Sequence, residues 1–323
     1  MLEITPSVIG TEFMPVALQQ PLVLVCAADN NYAMPLAVTI RSAIANFRSD
    51  CPVALYILDG GISQTNKRKI TRSLDSKQVE INWTRLDDTL FTNLPLYSHL
   101  TISSYYRLCI PEVVPKHFDK AIYLDSDLVV IGDLEQLWNI DIGDNYVLAV
   151  QDDHQLYMSL AHSWKTYQEL GISPDAKYFN SGVLVIDLKK WRSENIGIKV
   201  LEYIKRGNLL NDQDGLNLVL AGKWGELHPQ WNQMPRIYDY PSWQESPFTE
   251  EVYNELLHQP YIVHYTTIPK PWYAGLRHES THPKKDLFFQ YLDMTAWAGW
   301  RDTLIRRVSR KFLKFALVNK SKL

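Results

Sequence analysis

Over its first 85 residues the chain alternates short apolar runs with helical repeats, and this alternation limits its fold more than any other feature. Leu22 to Cys26 is a continuous apolar run, Val53 to Leu58 is a second, closed by Asp59-Gly60-Gly61, and Val79, Ile81 and Trp83 alternate as a third. Between the first two, Ala37, Ile40, Ile44 and Phe47 recur at spacings of 3, 4 and 3, one face of a helix that Asn30 or Asn31 could cap, and 63–74 reads as another helix. Apolar runs without alternation suit strands covered on both faces, as in a parallel sheet. Strand, helix, strand, helix, strand predicts a doubly wound α/β sheet with right-handed crossovers. Further strands are expected at 121–124, 146–150 and 182–186, and helices at 101–110, 188–206 and 212–221. From 222 the pattern turns irregular and rich in Trp, Tyr and Pro, until an apolar strand, Tyr261 to Val263, that ends at His264. With 323 residues, 46% of them hydrophobic, the chain can bury one large α/β core or two smaller ones.

The segment Lys120 to Trp138 carries the chemistry. An apolar run, Ala121 to Leu124, ends in Asp125-Ser126-Asp127, and a second, Leu128 to Ile131, follows at once. In an extended segment residues two apart face the same way, so Asp125 and Asp127 are expected to converge. Two carboxylates between apolar strands are costly to bury without a positive partner. A hard divalent cation such as Mg²⁺ or Mn²⁺, which takes oxygen ligands and keeps positions open for phosphate, meets that need. The plain alternative is a strand-ending turn with two solvated aspartates.

Several classes are excluded. No Gly-x-Gly-x-x-Gly and no Walker A sequence occurs, which disfavours dinucleotide oxidoreductases and P-loop enzymes. Cys26, Cys51 and Cys109 are odd in number and widely spaced, with no zinc spacing, and fit a reduced compartment. The N-terminus lacks a basic region and no apolar run approaches a membrane span, so the expected location is the cytosol. Net charge is −3, yet residues 301–323 hold eight Lys or Arg against Asp302, leaving 25 bases and 35 acids elsewhere. Leu304, Ile305, Val308, Phe312 and Phe315 can share one face of a basic helix there. With Trp297 and Trp300 upstream, this predicts docking on an anionic membrane surface. No nucleic-acid partner is expected.

Five segments together resemble the family 8 glycosyltransferases, the retaining, metal-dependent group that includes bacterial lipopolysaccharide galactosyl- and glucosyltransferases and glycogenin. They are Cys-Ala-Ala-Asp-Asn-Asn-Tyr (26–32), Tyr-Leu-Asp-Ser-Asp-Leu-Val-Val-Ile-Gly-Asp-Leu (123–134), Tyr-Phe-Asn-Ser-Gly-Val-Leu-Val-Ile-Asp-Leu (178–188), Asn-Asp-Gln-Asp-Gly-Leu-Asn (211–217) and His-Tyr-Thr-Thr-Ile-Pro-Lys-Pro-Trp (264–272). The resemblance runs from about Val23 to Trp272. It implies a GT-A fold, a Rossmann-like, mostly parallel sheet flanked by helices, with an irregular C-terminal part. It implies an extension over 1–20, a catalytic domain over 21–275 and a C-terminal segment over 276–323.

It further implies a UDP-sugar donor, UDP-glucose or UDP-galactose, and Mn²⁺ (or Mg²⁺) held by Asp125, Asp127 and His264. Two carboxylates and an imidazole are a mixed set that Mn²⁺ accepts. Ala27, Asp29 and Asn31 match positions on uracil and ribose, Lys270 a position on the diphosphate, and Ser126 a further donor-binding position. Arg107, Asp152, Asn180, Asp212 and Gln213 match positions around the transferred sugar, whose hydroxyls need donors and acceptors alike. Thr267 stands where many members have glycine, so its hydroxyl is the expected donor contact. Gln213, at the position of a retaining nucleophile, is a poor one, and Asp214 is the nearest carboxylate that could serve. The implied acceptor is a glycan or glycolipid hydroxyl. Two other classes stay open: a metal-dependent nucleotide-sugar hydrolase or phosphoesterase, and a non-catalytic nucleotide-sugar-binding protein.

Overall fold

The computed structural model describes residues 20–302 apart from 75–76, 97–100, 208, 210 and 274–279. The elements run β1 (Leu22–Asp29), α1 (Ala33–Asn46), β2 (Val53–Gly60), α2 (Gln64–Leu74), β3 (Val79–Arg85), a 3₁₀ segment (Ile102–Cys109), α3 (Ile110–Val113), β4 (Lys120–Leu124), β5 (Leu128–Val130), α4 (Leu134–Trp138) and β6 (Val147–Gln151). They continue with α5 (Trp164–Glu169), β7 (Phe179–Asp187), α6 (Leu188–Glu194), α7 (Ile196–Lys205), α8 (Asp212–Val219), β8 (Trp224–Glu226), α9 (Glu250–His258), β9 (Ile262–His264) and α10 (Lys285–Leu292).

Seven strands form the central sheet in the order β3-β2-β1-β4-β7-β6-β8, and only β7 runs against the rest. Alternate residues of one strand feed two separate cores. Val23 and Val25 join Tyr123 and Trp191 on one face, whereas Leu22, Leu24 and Cys26 join Leu36, Ile40 and Leu55 on the other. This double coverage is why β1, β2 and β4 read as unbroken apolar runs. The reversal of β7 has a functional consequence. Ligands gather at the carboxyl ends of parallel strands, and an antiparallel strand brings its amino end to that edge. Asn180, Ser181 and Gly182 therefore arrive beside Asp125, whose N–H donates to the Gly182 carbonyl at 2.8 Å. Pairing with β6 jumps from Leu184 opposite Ala149 to Asn180 opposite Val150, so residues 181–183 bulge from the ladder.

Several expectations are corrected. Asp125-Ser126-Asp127 is not extended; it is a turn at which the chain leaves the central sheet. β5 pairs antiparallel with β9 in a separate two-stranded sheet, bringing Leu128 opposite His264. The other edge of β5 is met by side chains of α1. Thr39 Oγ1 donates to the Leu128 carbonyl and accepts its N–H, Ser42 Oγ accepts the N–H of Val130, and Asn46 donates to the Val130 carbonyl. Hydroxyls and an amide thus stand in for a neighbouring strand. Residues 102–109 are 3₁₀ rather than α. The helix over 188–206 breaks at Asn195, in the left-handed region at φ 51°. Neither Asn30 nor Asn31 caps α1, whose N-cap is Tyr32 without a side-chain hydrogen bond; Asp29 Oδ1 holds the turn before it by accepting the N–H groups of Asn31 and Tyr32, while Asn30 Oδ1 is held by Ser63 and Asn66.

Beyond residue 280, α10 packs on α1. Phe288 and Leu292 share a core with Val38, Val129, Val263 and Trp272. Trp297 and Trp300 are not free interfacial anchors. Both pack against buried clusters, and Lys69 of α2 lies over the Trp297 ring at 5.0 Å. The basic helix expected beyond Asp302 lies outside the described residues. Among the described residues no helix is long and apolar enough to cross a membrane.

Candidate active site

The turn after β4 and the end of β9 place three metal-ligating groups together. One oxygen each of Asp125 and Asp127 and one nitrogen of His264 all lie within 4.8 Å of one another. His264 Nε2 stands 3.3 Å from Asp127 Oδ1 and 4.0 Å from Asp125 Oδ2. The remaining carboxylate oxygens are held by fixed cations and a phenol. Asp125 Oδ1 accepts from Arg107 Nη2 at 2.8 Å and from the Tyr123 hydroxyl at 2.7 Å. Asp127 Oδ2 accepts from Lys270 Nζ at 2.7 Å. Lys270 is only 1% exposed, and its ammonium also donates to the Tyr265 carbonyl. Burial alone would raise the Asp127 carboxyl; Lys270 and His264 outweigh it and hold the group well below the usual carboxylate range.

Arg107 ties this turn to the next acids. Its Nη1 donates to the carbonyl and hydroxyl of Ser181, and its Nε lies 2.9 Å from Asp212 Oδ2 as an ion pair. Burial raises the Asp212 carboxyl to about 6, although Arg107 pulls it down. Gln213 Oε1 accepts from Ser181 N and Oγ, and its Nε2 donates to Asp152 Oδ2 at 3.3 Å.

One cleft at the carboxyl edge of the sheet is lined by Ala27, Asp29, Arg107, Asp125, Ser126, Asp127, Asn180, Asp212, Gln213, His264 and Lys270. The structure brings these sequence-predicted residues together; four others do not line the cleft. Asn31 is exposed on its rim. Thr267 is exposed and does not line the cleft, whereas its neighbour Thr266 does, with a buried Oγ1 that has no partner in the chain. Asp152 sits one layer behind, holding Asn180 Nδ2 at 3.0 Å and Gln213 with one oxygen and the N–H groups of His154 and Gln155 with the other. Asp214 turns into the core, accepting from Ser163, Tyr167 and Tyr178. Its carboxylate is therefore engaged by core hydroxyls and does not line the cleft.

The sequence reading missed Tyr32, Ser103, Ser104 and Asn211 on the cleft wall, and Asn232 behind His264. They fall in turns and short 3₁₀ segments without periodicity, and only Tyr32 and Asn211, in matched segments, carried a signal. Gly182 was noted without its reason. A Cβ there would meet His264 Cε1 at 2.3 Å and Asp125 Oδ2 at 2.9 Å, so glycine is what lets the ligand triad close.

The α/β sheet with an acid turn at its carboxyl edge is the GT-A architecture. The solved galactosyltransferase LgtC, in complex with donor and acceptor sugar analogs, matches with a TM-score of 0.72 and 29% identity over 86% of this chain and 99% of that one. The model of Glycosyl transferase family 8 matches residues 23–275, and the chain belongs to that family. General stress protein A of Bacillus subtilis is 33% identical over 280 residues, 85% of this chain and 94% of its own length. Lipopolysaccharide 1,2-glucosyltransferase of Escherichia coli is 27% identical over 76% of this chain and 71% of its own.

Proposed function

We infer that this glycosyltransferase moves glucose or galactose from a UDP-sugar to a hydroxyl of a glycan or glycolipid, with retention at the anomeric carbon. The observation that carries the reading is the convergence of Asp125, Asp127 and His264 beside Lys270 at the carboxyl edge of the sheet. The site fits a divalent cation. Its donors are two carboxylates and an imidazole, and Gly182 leaves open the cradle that a Cβ would fill. A solved relative bound to donor and acceptor sugar analogs, and relatives named as lipopolysaccharide 1,2-glucosyl- and 1,3-galactosyltransferases, support the substrate class.

When bound, Mn²⁺ or Mg²⁺ supplies Lewis acidity that neutralises the departing diphosphate. The chain's own residues do the rest. Ala27 and Asp29, at the end of β1, receive the nucleoside. Ser126 and Lys270 face the diphosphate, where a buried ammonium gives a second fixed positive charge. The Thr266 hydroxyl, unpartnered in the chain, is a further donor on that wall. Asn180, Asp212 and Gln213 meet the sugar hydroxyls, oriented from behind by Asp152 and Arg107. Gln213 cannot form a stable glycosyl ester and Asp214 is turned away, which favours a front-face displacement. There the acceptor oxygen bonds to the anomeric carbon as the C–O bond to phosphate breaks, and the acceptor proton passes to the leaving phosphate oxygen. The basic segment 301–323 holds the enzyme at the inner face of an anionic membrane, beside a lipid-linked acceptor.

The test is product analysis with UDP-glucose and UDP-galactose in Mn²⁺. Transfer predicts free UDP, accelerated by acceptor, and an α-linked product by proton NMR. Release of UMP and sugar phosphate would instead mark a phosphoesterase. Binding without turnover would mark a non-catalytic receptor.

A further inference from the structure

We propose that Asn232 is a positioning residue that fixes the His264 imidazole as its Nδ1–H tautomer and leaves Nε2 free for the cation. Asn232 is 1% exposed, in the 3₁₀ turn Pro229–Asn232. The flanking backbone clamps that turn to β9: Gln233 N donates to the Ile262 carbonyl and His264 N to the Gln233 carbonyl, both at 2.9 Å.

The tautomer follows from groups whose roles cannot be exchanged. The backbone N–H of Gly182 can only donate, and it donates to Asn180 Oδ1 at 3.0 Å. Asn180 therefore turns its Nδ2 to Asp152, at 3.0 Å. Asn232 must then offer its own Nδ2 to Asn180 Oδ1, at 2.9 Å. Its Oδ1 is thereby directed at His264 Nδ1, again at 2.9 Å. An amide oxygen only accepts, so Nδ1 carries the hydrogen, and in the neutral imidazole Nε2 presents a lone pair. That lone pair faces oxygens of Asp127 and Asp125. With the imidazole neutral, three acceptors converge with no hydrogen between them, an arrangement that a cation satisfies. A partner behind a metal-binding imidazole commonly sets its tautomer and ring plane. Here the chain of amides starts at a backbone N–H of the β7 bulge, so the strand that shapes the sugar side also sets the nitrogen on the diphosphate side.

This inference rests on the metal reading of the site, and two measurements separate them. The first is nitrogen–proton correlation NMR of the full chain in chelator at alkaline pH. It is expected to show His264 protonated at Nδ1 and bare at Nε2; a wild-type Nε2–H tautomer overturns the proposal whatever the metal does. The second is Mn²⁺ binding in the presence of UDP, read from the paramagnetic signal of free Mn²⁺. Asn232→Leu, similar in size but without an acceptor, is expected to weaken Mn²⁺ by about 10- to 100-fold. Asn232→Asp, which keeps an oxygen opposite Nδ1 but loses the donor to Asn180 Oδ1, is expected to lose Mn²⁺ affinity by less than Asn232→Leu on the same outer-partner argument. Equal losses in both variants would mean that Asn232 only fills space, and overturn the proposal. A correct tautomer in a wild-type chain that takes up no Mn²⁺ with UDP would overturn the cation half together with the metal reading.

Discussion

The chain contains the same acidic pattern twice, Asp125-Ser126-Asp127 and Asp212-Gln213-Asp214, and folds the two differently beside one cleft. In the first, a turn leaves the central sheet and both carboxylates face one cleft, each met by a fixed cation. In the second, the acids open helix α8, where residues two apart diverge by about 200° at 3.6 residues per turn. Asp212 accordingly faces the cleft and pairs with Arg107, whereas Asp214 faces the core and collects three hydroxyls. Spacing alone did not tell the two apart; the backbone beneath it did.

The largest expected effect falls on the first pair. Asp127→Asn removes one charge opposite Lys270 and one cation ligand. Mn²⁺-dependent transfer is expected to fall about 10³-fold, some 4 kcal/mol of transition-state stabilisation, while circular dichroism stays native. A variant with near-full activity, or a wild-type enzyme active in excess EDTA, would leave the first pair no more chemical than the second.

Asp214→Ala probes the other side. Its loss strands buried hydroxyls of Ser163, Tyr167 and Tyr178 and is expected to lower unfolding free energy by about 3 kcal/mol in urea. The folded fraction should keep kcat within about threefold of wild type, since its carboxylate is bound by core hydroxyls and does not line the cleft. A stable but inactive variant would contradict the structural role given to Asp214.

A third acid pair sharpens the contrast at smaller scale. Asp152 satisfies its oxygens with the backbone and with Asn180 and Gln213, while Asp153 Oδ1 has no hydrogen-bond partner in the chain. Burial, with Asp152 beside it, pushes the Asp153 carboxyl up to about 7. The fold thus binds that proton more tightly than the unfolded chain does. The stability it contributes is present at low pH and lost as pH rises from about 4 to 7. Asp153→Asn has no such proton. The unfolding free energy of wild type should therefore fall relative to the variant by about 4 kcal/mol between pH 4 and 8. Parallel curves in urea titrations would show that Asp153 does not stay protonated in the fold.

What could be read in advance follows the same divide. β1, β2 and β4 were legible because they are covered on both faces, and the acids at 125 and 127 stood out against their apolar flanks. The reversal of β7 was not legible, since a buried strand has no visible direction, and that reversal is what delivers Asn180 and Gly182. Thr266 and Thr267 differ by one residue in a loop without periodicity, so a motif could not choose between them. Asn232 acts through partners 32 and 52 residues away in sequence, a relation no local pattern carries. Asp214 lies in the helix expected at 212–221, and helical geometry turns it from Asp212 and away from the cleft lining.

The central claim, that Asp125, Asp127 and His264 hold a cation for a nucleoside diphosphate, is tested most directly by calorimetric titration of UDP into the full chain. Titrations with saturating Mn²⁺ and in excess EDTA are compared. The account predicts binding with Mn²⁺ that weakens by at least about 100-fold in EDTA, in keeping with several kcal/mol of metal-mediated charge stabilisation. Equal UDP affinity in the two solutions would contradict it.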